Sequence, residues 1–141
     1  RGQSNGLGPL IDSVGECLRA GKSAVVYTSR VLVVGESEAS NLAVSRQVSA
    51  GLVELLRGVE VAPEFLIAKG GITASDLATQ GLGVRRAMVK GALLPGVPVW
   101  ETGAETRFPG LPYVVFPGNV GSDEALLQAV EQFERPAECC V

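Results

Sequence analysis

Two stretches of the chain hold residue types whose spacing could do chemistry, Lys69-Gly70-Gly71-Ile72-Thr73 and Gly118-Asn119-Val120-Gly121-Ser122. Each follows a β-rich apolar run and precedes a helical pattern. Glycine lets backbone amides approach a ligand closely and permits positive φ. A helix N-terminus adds unpaired N–H groups and roughly half a positive charge. Together these features suit an anion, phosphate above all. Lys69 beside the first pair of glycines is the natural cation, and Asn119 and Gly121 support the second turn. The plainer reading stays open at both places. Thr73 and Asp76 have the spacing of a capping box, and Ser122 followed by Asp123 and Glu124 starts a helix well without any ligand.

What is missing narrows the chemistry further. The sequence of 141 residues contains no histidine, so Ser-His-Asp and Cys-His mechanisms and the commonest metal ligand are unavailable. No metal site is expected. The three cysteines, Cys17 and the adjacent Cys139 and Cys140, form no C-x-x-C pattern and fit a reducing, cytoplasmic setting. Neither a Walker A sequence nor a G-x-G-x-x-G fingerprint occurs. A net charge of −3 argues against nucleic acid, and no apolar run reaches the ~20 residues of a membrane span. Charge is unevenly spread: Lys69, Arg85, Arg86 and Lys90 surround the first glycine turn, whereas Asp123, Glu124, Glu131 and Glu134 crowd the last helix.

The elements that must position these turns follow from periodicity. At 46% hydrophobic and 19% charged, the chain can bury one domain core. Residues 1–9 read as a linker, 10–134 as one domain and 135–141 as a tail. Since the chain opens on Arg1 with linker composition, it is expected to be a piece of something longer. Leu10, Ile11, Val14 and Leu18 predict a helix stopped at Gly21. Residues 23–28 predict a buried strand, and 31–34 a second apolar run. From Ser40 to Gly58 a long amphipathic helix is expected, with Leu42, Val48, Leu52, Leu55 and Leu56 on its apolar side. Residues 65–69 are the best strand and lead into a helix opening at Thr73. Residues 84–89 and 97–100 read as shorter strands about a rigid turn at Pro95-Gly96, a stretch where an antiparallel excursion would fit. Arg85 and Arg86 then point to opposite faces, so at most one reaches a ligand. Residues 113–116 form a further buried strand, and the last helix starts at Ser122 with Leu126, Leu127, Val130 and Phe133. Alternation of strands and helices predicts an α/β fold, a three-layer-like, largely parallel sheet with helices on its faces. Trp100 and Tyr113 are core residues or an adenine platform.

The ordered combination of motifs adds a resemblance. Lys69-Gly-Gly-Ile-Thr-Ala, Gly81-Leu-Gly-Val, Gly91-Ala-Leu-Leu-Pro-Gly-Val-Pro and Leu111-Pro-Tyr-Val-Val-Phe-Pro-Gly-Asn-Val-Gly resemble the nucleotide-binding C-terminal domain of the four-carbon acid sugar kinases, over roughly residues 10–134. The resemblance implies that Gly70, Gly71, Ile72, Thr73 and Gly118 contact ATP, with Mg²⁺ as companion ion. It also implies that an N-terminal domain outside this chain binds a four-carbon sugar acid of the erythronate, threonate or 3-oxo type and holds the catalytic base. No catalytic residue is assigned here, and a homo-oligomer is compatible with the pattern. This sequence departs from the family at Ile72, where an acidic or polar residue is usual, and at Phe116-Pro117, where Lys-Ser is frequent. Those departures motivate an alternative, a non-catalytic module that binds phosphate or a metabolite or serves oligomerisation. A third reading, an α/β enzyme of another class using Cys17, has only that helix-borne thiol behind it.

Overall fold

The structure, a computed structural model, describes residues 6–28 and 37–134. Helix α1 (Gly8–Arg19) starts with Pro9 in its first turn, where the missing N–H costs nothing. Helix α2 (Glu38–Gly58) is capped by Ser37, whose hydroxyl accepts from the Ser40 amide while Ser40 returns a bond to the Ser37 amide. Ser40 is thus the third residue of the first turn and not the opening residue. The buried residues of α2 are Ser49, Val53, Leu55 and Leu56, while Leu42 and Val48 are exposed. The predicted apolar side is therefore right only in its second half.

Four strands follow: β1 (Leu66–Lys69), β2 (Ala87–Leu94), β3 (Val97–Thr102) and β4 (Pro112–Phe116). They form one sheet in the order β1-β4-β3-β2. The expectation of a largely parallel sheet is corrected here. Only β1 and β4 run parallel, and β2–β3 and β3–β4 are antiparallel. Connection length decides this, because a parallel return needs a crossover of roughly a dozen residues or more. Pro95-Gly96 and the loop 103–111 are too short for one. The expected strand at 23–28 is also absent: that segment joins no ladder, and Val25 and Tyr27 are 70% and 77% exposed. β-prone residues make a strand only where a partner edge is hydrogen-bonded to them. The run at 31–34 and the tail at 135–141 lie outside the described residues. β2 begins at Ala87, so Arg85 and Arg86 precede the strand.

Side chains alternate across the sheet as its pleat requires. Tyr113 of β4 and Ala68 of β1 face a cluster with Leu56, Ala74, Ala78, Leu82, Phe108 and Leu111 beneath α2 and the helix after β1. Val114 and Phe116 face the opposite side, where α4 (Ala125–Glu134) packs Ala125 and Ala129 onto Val97. Helices thus cover both faces, and the α/β class holds. Phe65 stacks on Phe133 at 4.6 Å, fastening the end of α4 beside the start of β1.

The hairpin is tied to the loop after β3 by one carboxylate. Glu105 accepts from the amides of Arg85 and Arg86, both at 3.3 Å. Its own backbone amide and those two hold its carboxyl below the ordinary value of 4.5. A lowered value means the tie is fully present above pH 4.5 and is lost as pH falls through the folded-state value. The protection of the Arg85 and Arg86 amides, their exchange measured against the intrinsic rate at each pH, should therefore fall on acidification below pH 4.5. Glu105→Gln should lower the same protection at neutral pH. Unchanged protection in both experiments would remove Glu105 as the clasp.

Candidate functional site

The parallel pair β1–β4 sets the site. Lys69 and Phe116 are the last residues of the two strands and lie in register, so both glycine turns leave the sheet at the same edge. In open α/β sheets the carboxyl edge of parallel strands is where ligands bind.

The first turn is tight. Gly70 donates its N–H to the Phe116 carbonyl at 2.8 Å, extending the ladder by one residue. Its φ of +101° belongs to a region that side chains avoid. That amide is consequently spent on the sheet and cannot serve a ligand. Helix α3 (Gly71–Asp76) starts directly behind it with no side-chain cap. The amides of Gly71, Ile72 and Thr73 are therefore the free donors of this turn. The expected helix start at Thr73 and its capping box with Asp76 do not form. Asp76 instead accepts from the Ser49 hydroxyl of α2 at 2.5 Å and from the Gln80 side chain at 3.3 Å. Ile72 is 70% exposed at the mouth of this turn.

The second turn folds on itself. Val120 donates to the Pro117 carbonyl, and Ala125 donates to that of Ser122. Helix α4 begins at Ala125, so Ser122 is one turn too early to be its first residue. Gly121 adopts φ +83° and presses against Ala125, where an added Cβ would lie 2.5 Å from the alanine Cβ. An added Cβ at Gly118 would meet nothing within 4 Å.

Between strand ends and turn lies a depression of about 370 Å³, within the size range of small-molecule sites. Its lining includes Lys69, Phe116, Gly118, Asn119, Gly121 and Asp123. The structure thus gathers Lys69, Gly118, Asn119 and Gly121 in one place. Gly70, Gly71, Ile72 and Thr73 continue from Lys69 along the same edge without lining the depression. Lys69 holds its ammonium 5.3 Å from the centre of the Phe116 ring, a cation–π contact. Among the described residues the salt bridge is Lys90–Glu101, so the Lys69 charge has no carboxylate partner there. Asp123 is the one carboxylate in the lining, and it opposes an anion at its end of the depression.

Other sequence expectations resolve differently. Tyr113 is fully buried with its hydroxyl bonded to the Ala74 carbonyl at 2.6 Å, and Trp100 stacks on it at 6.1 Å. Tyr113 is therefore core and no adenine platform. Arg85 and Arg86 contribute backbone donors to Glu105 instead of alternating across a strand. Cys17 is a half-buried free thiol in α1. Sequence reasoning missed Asp123 as a lining residue, because helix-start chemistry accounted for it fully. It also missed the Ser49–Asp76 and Tyr113–Ala74 bonds, which join residues 27 and 39 positions apart and leave no local signal.

The fold is a mixed α/β layer with two glycine turns at the carboxyl edge of its parallel pair, the edge at which α/β sheets take ligands. Residues 3–126 match the family described as nucleotide-binding C-terminal domain, and the chain belongs to it. That agrees with the resemblance to the C-terminal domain of the four-carbon acid sugar kinases. The fold is also similar to a crystal structure of a domain of unknown function from Bordetella bronchiseptica, solved with bound citrate as a domain-swapped dimer. The two share 20% identity at a TM-score of 0.59, over 86% of this chain and 30% of that one. The chain thus spans under a third of that neighbour's length. No curated protein matches the chain. Among the described residues no helix is long and apolar enough to cross a membrane.

Proposed function

We propose that the chain is the ATP-binding half of a cytoplasmic kinase that transfers the γ-phosphoryl group of ATP to a hydroxyl of a four-carbon sugar acid, of the erythronate, threonate or 3-oxo-tetronate type. One observation carries the reading: in a chain of a nucleotide-binding family, Lys69 and the glycine turn 118–121 converge on one depression. The donor set fits a nucleoside triphosphate. It comprises the free amides of α3's first turn, an ammonium with no carboxylate partner among the described residues, and open space at Gly118. ATP supplies the phosphoryl group, and Mg²⁺ offsets its charge when bound. The residues of this chain bind and orient: the amides of residues 71–73 and of Gly118, Asn119 and Gly121 donate to phosphate oxygens, and Lys69 adds positive charge. The acid and the catalytic base belong to the other domain. The neighbour's domain-swapped assembly supports a homo-oligomer for this protein as well.

The test is an amide NMR titration with Mg·ATP, Mg·GTP and inorganic phosphate, repeated with the substrate domain joined to the chain. Shifts concentrated at 70–73 and 118–121, larger for ATP, are expected. Lys69→Met should weaken Mg·ATP binding roughly five-fold, the worth of one charge-assisted contact of about 1 kcal/mol at an exposed site. No ATP response in either form would overturn the reading. Phe116-Pro117 in the place of Lys-Ser, together with the citrate held by the neighbour, favours a second reading: a non-catalytic module for phosphate or a small organic polyanion. Equal responses to ATP, GTP and phosphate would select it.

A further inference from the structure

Behind the first glycine turn the helix is irregular. α3 continues without a break into a π-helical turn, Leu77–Gly81, in which Leu82 donates to the Leu77 carbonyl at 2.9 Å. Such turns recur at functional sites. A side chain from the sheet is bonded to the helix just ahead of this one. Tyr113 rises from the middle of the sheet, in register with Leu66 of β1 and Trp100 of β3, and its hydroxyl reaches the Ala74 carbonyl. Ala74 stands one turn before the π-helical segment, and Ala78 lies inside it. Both are almost fully buried. Only side chains this small let a phenol ring approach the helix backbone so closely.

We propose that Tyr113 is a positioning residue for the first glycine turn: its hydroxyl, bonded to the Ala74 carbonyl just ahead of the π turn, holds that turn in place and thereby sets the direction in which α3 presents residues 70–73. This role rests on the nucleotide reading given above. The downstream side of the π turn is anchored. Gly81 sits so close to Leu56 that a Cβ would lie 2.8 Å from its Cδ2, and Arg57 of α2 donates to the Gln80 carbonyl at 2.8 Å. Leu82 is buried in the same cluster. The upstream side is held less firmly, by the Ser49–Asp76 bond and the Gly70 amide, with no side-chain cap. Closing the π turn to an α turn removes one residue from the bulge, a rotation of roughly 100° along the helix. With its far end fixed, α3 passes that change to its less firmly held end, where the glycine turn lies. The phenol is itself held un-ionised, since burial pushes its pKa well above the ordinary value, so the hydroxyl remains a donor.

The experiment compares Tyr113→Phe with Thr102→Val, which removes another buried hydroxyl of the same core, one whose bonds, to the Phe108 carbonyl and from the Leu111 amide, stay within the loop after β3. Amide shifts and hydrogen exchange over 77–82 report the turn, and a Mg·ATP titration reports the site. In Tyr113→Phe the shifts of residues 77–82 should move, and the apparent Kd for Mg·ATP should rise at least three-fold. Thr102→Val should lower stability while leaving both readouts in place. Unchanged shifts over 77–82, or an unchanged Kd in a Tyr113→Phe chain, overturn the positioning role alone. A wild-type chain with no response to Mg·ATP overturns the nucleotide reading and, with it, this role.

Discussion

Gly121→Val is expected to destabilise the chain by about 3 kcal/mol and to abolish any nucleotide response at the second turn. Two independent costs meet at this residue. Its backbone stands at φ +83°, where a β-branched side chain is a genuine outlier, and left-handed backbone costs roughly 1–2 kcal/mol for ordinary residues. The added Cβ would also fall 2.5 Å from that of Ala125, the first residue of α4. Such overpacking costs about 1–3 kcal/mol. Relief comes only by shifting the turn or the helix, and either movement deforms the depression. Gly118→Ala separates stability from binding. Its Cβ has open space and its φ is not positive, so stability should stay within about 0.5 kcal/mol. On the proposed function, binding of Mg·ATP should nevertheless weaken, because the methyl group would occupy space that reading gives to the ligand. Urea denaturation midpoints and the NMR titration measure the two quantities. A Gly121→Val chain with the wild-type midpoint would mean that the turn does not take this conformation.

Arg107→Met should cost about 2–3 kcal/mol without touching the carboxyl edge of the β1–β4 pair. The guanidinium closes the C-terminal end of α2, donating to the Leu56 carbonyl at 2.8 Å and to those of Arg57 and Val59. These are carbonyls that a helix end leaves without intrahelical partners. The positive charge also opposes the negative end of the helix dipole. Hydrogen bonds to a charged group are worth roughly 1.5–3 kcal/mol each. The side chain is exposed, so water recovers much of that for the freed carbonyls and the lower total applies. Methionine retains part of the packing, including a place near the Phe108 ring that the guanidinium now covers at 5.1 Å. Arg107→Lys should recover less than half of the loss, since a single ammonium cannot reach three carbonyls in the fork geometry. A loss below ~0.5 kcal/mol by urea denaturation would make the contacts incidental.

The two turns were legible because their determinants are local. A strand of apolar residues ending in Gly-Gly, or in Pro-Gly-Asn-Val-Gly, must turn where the glycines are, and Lys69 comes along by adjacency. The helix starts expected at Thr73 and Ser122 fall two residues late and three residues early, because both residues have good capping chemistry. Gly70 and the 122–124 turn had already settled those helix starts. The apolar side of α2 was misjudged for a different reason. Periodicity counts apolar residues, but Ser49 is buried on account of its bond to Asp76, a partner 27 residues away.

By itself the sequence determined the class of the fold, the places of the two glycine turns and the absence of histidine chemistry. It also carried the ordered motifs by which the chain belongs to a nucleotide-binding family. Only the tertiary structure decided which edges pair, leaving 23–28 without a ladder and making the sheet mostly antiparallel. It alone joined Lys69 to the turn after β4, and it alone brought the Tyr113 hydroxyl onto the helix behind the first turn. The physical reason is range. Turn chemistry and periodicity act over a few residues and are written in order along the chain. Strand pairing and buried side-chain bonds join residues dozens of positions apart, and their free energy exists only once the sheet has brought them together.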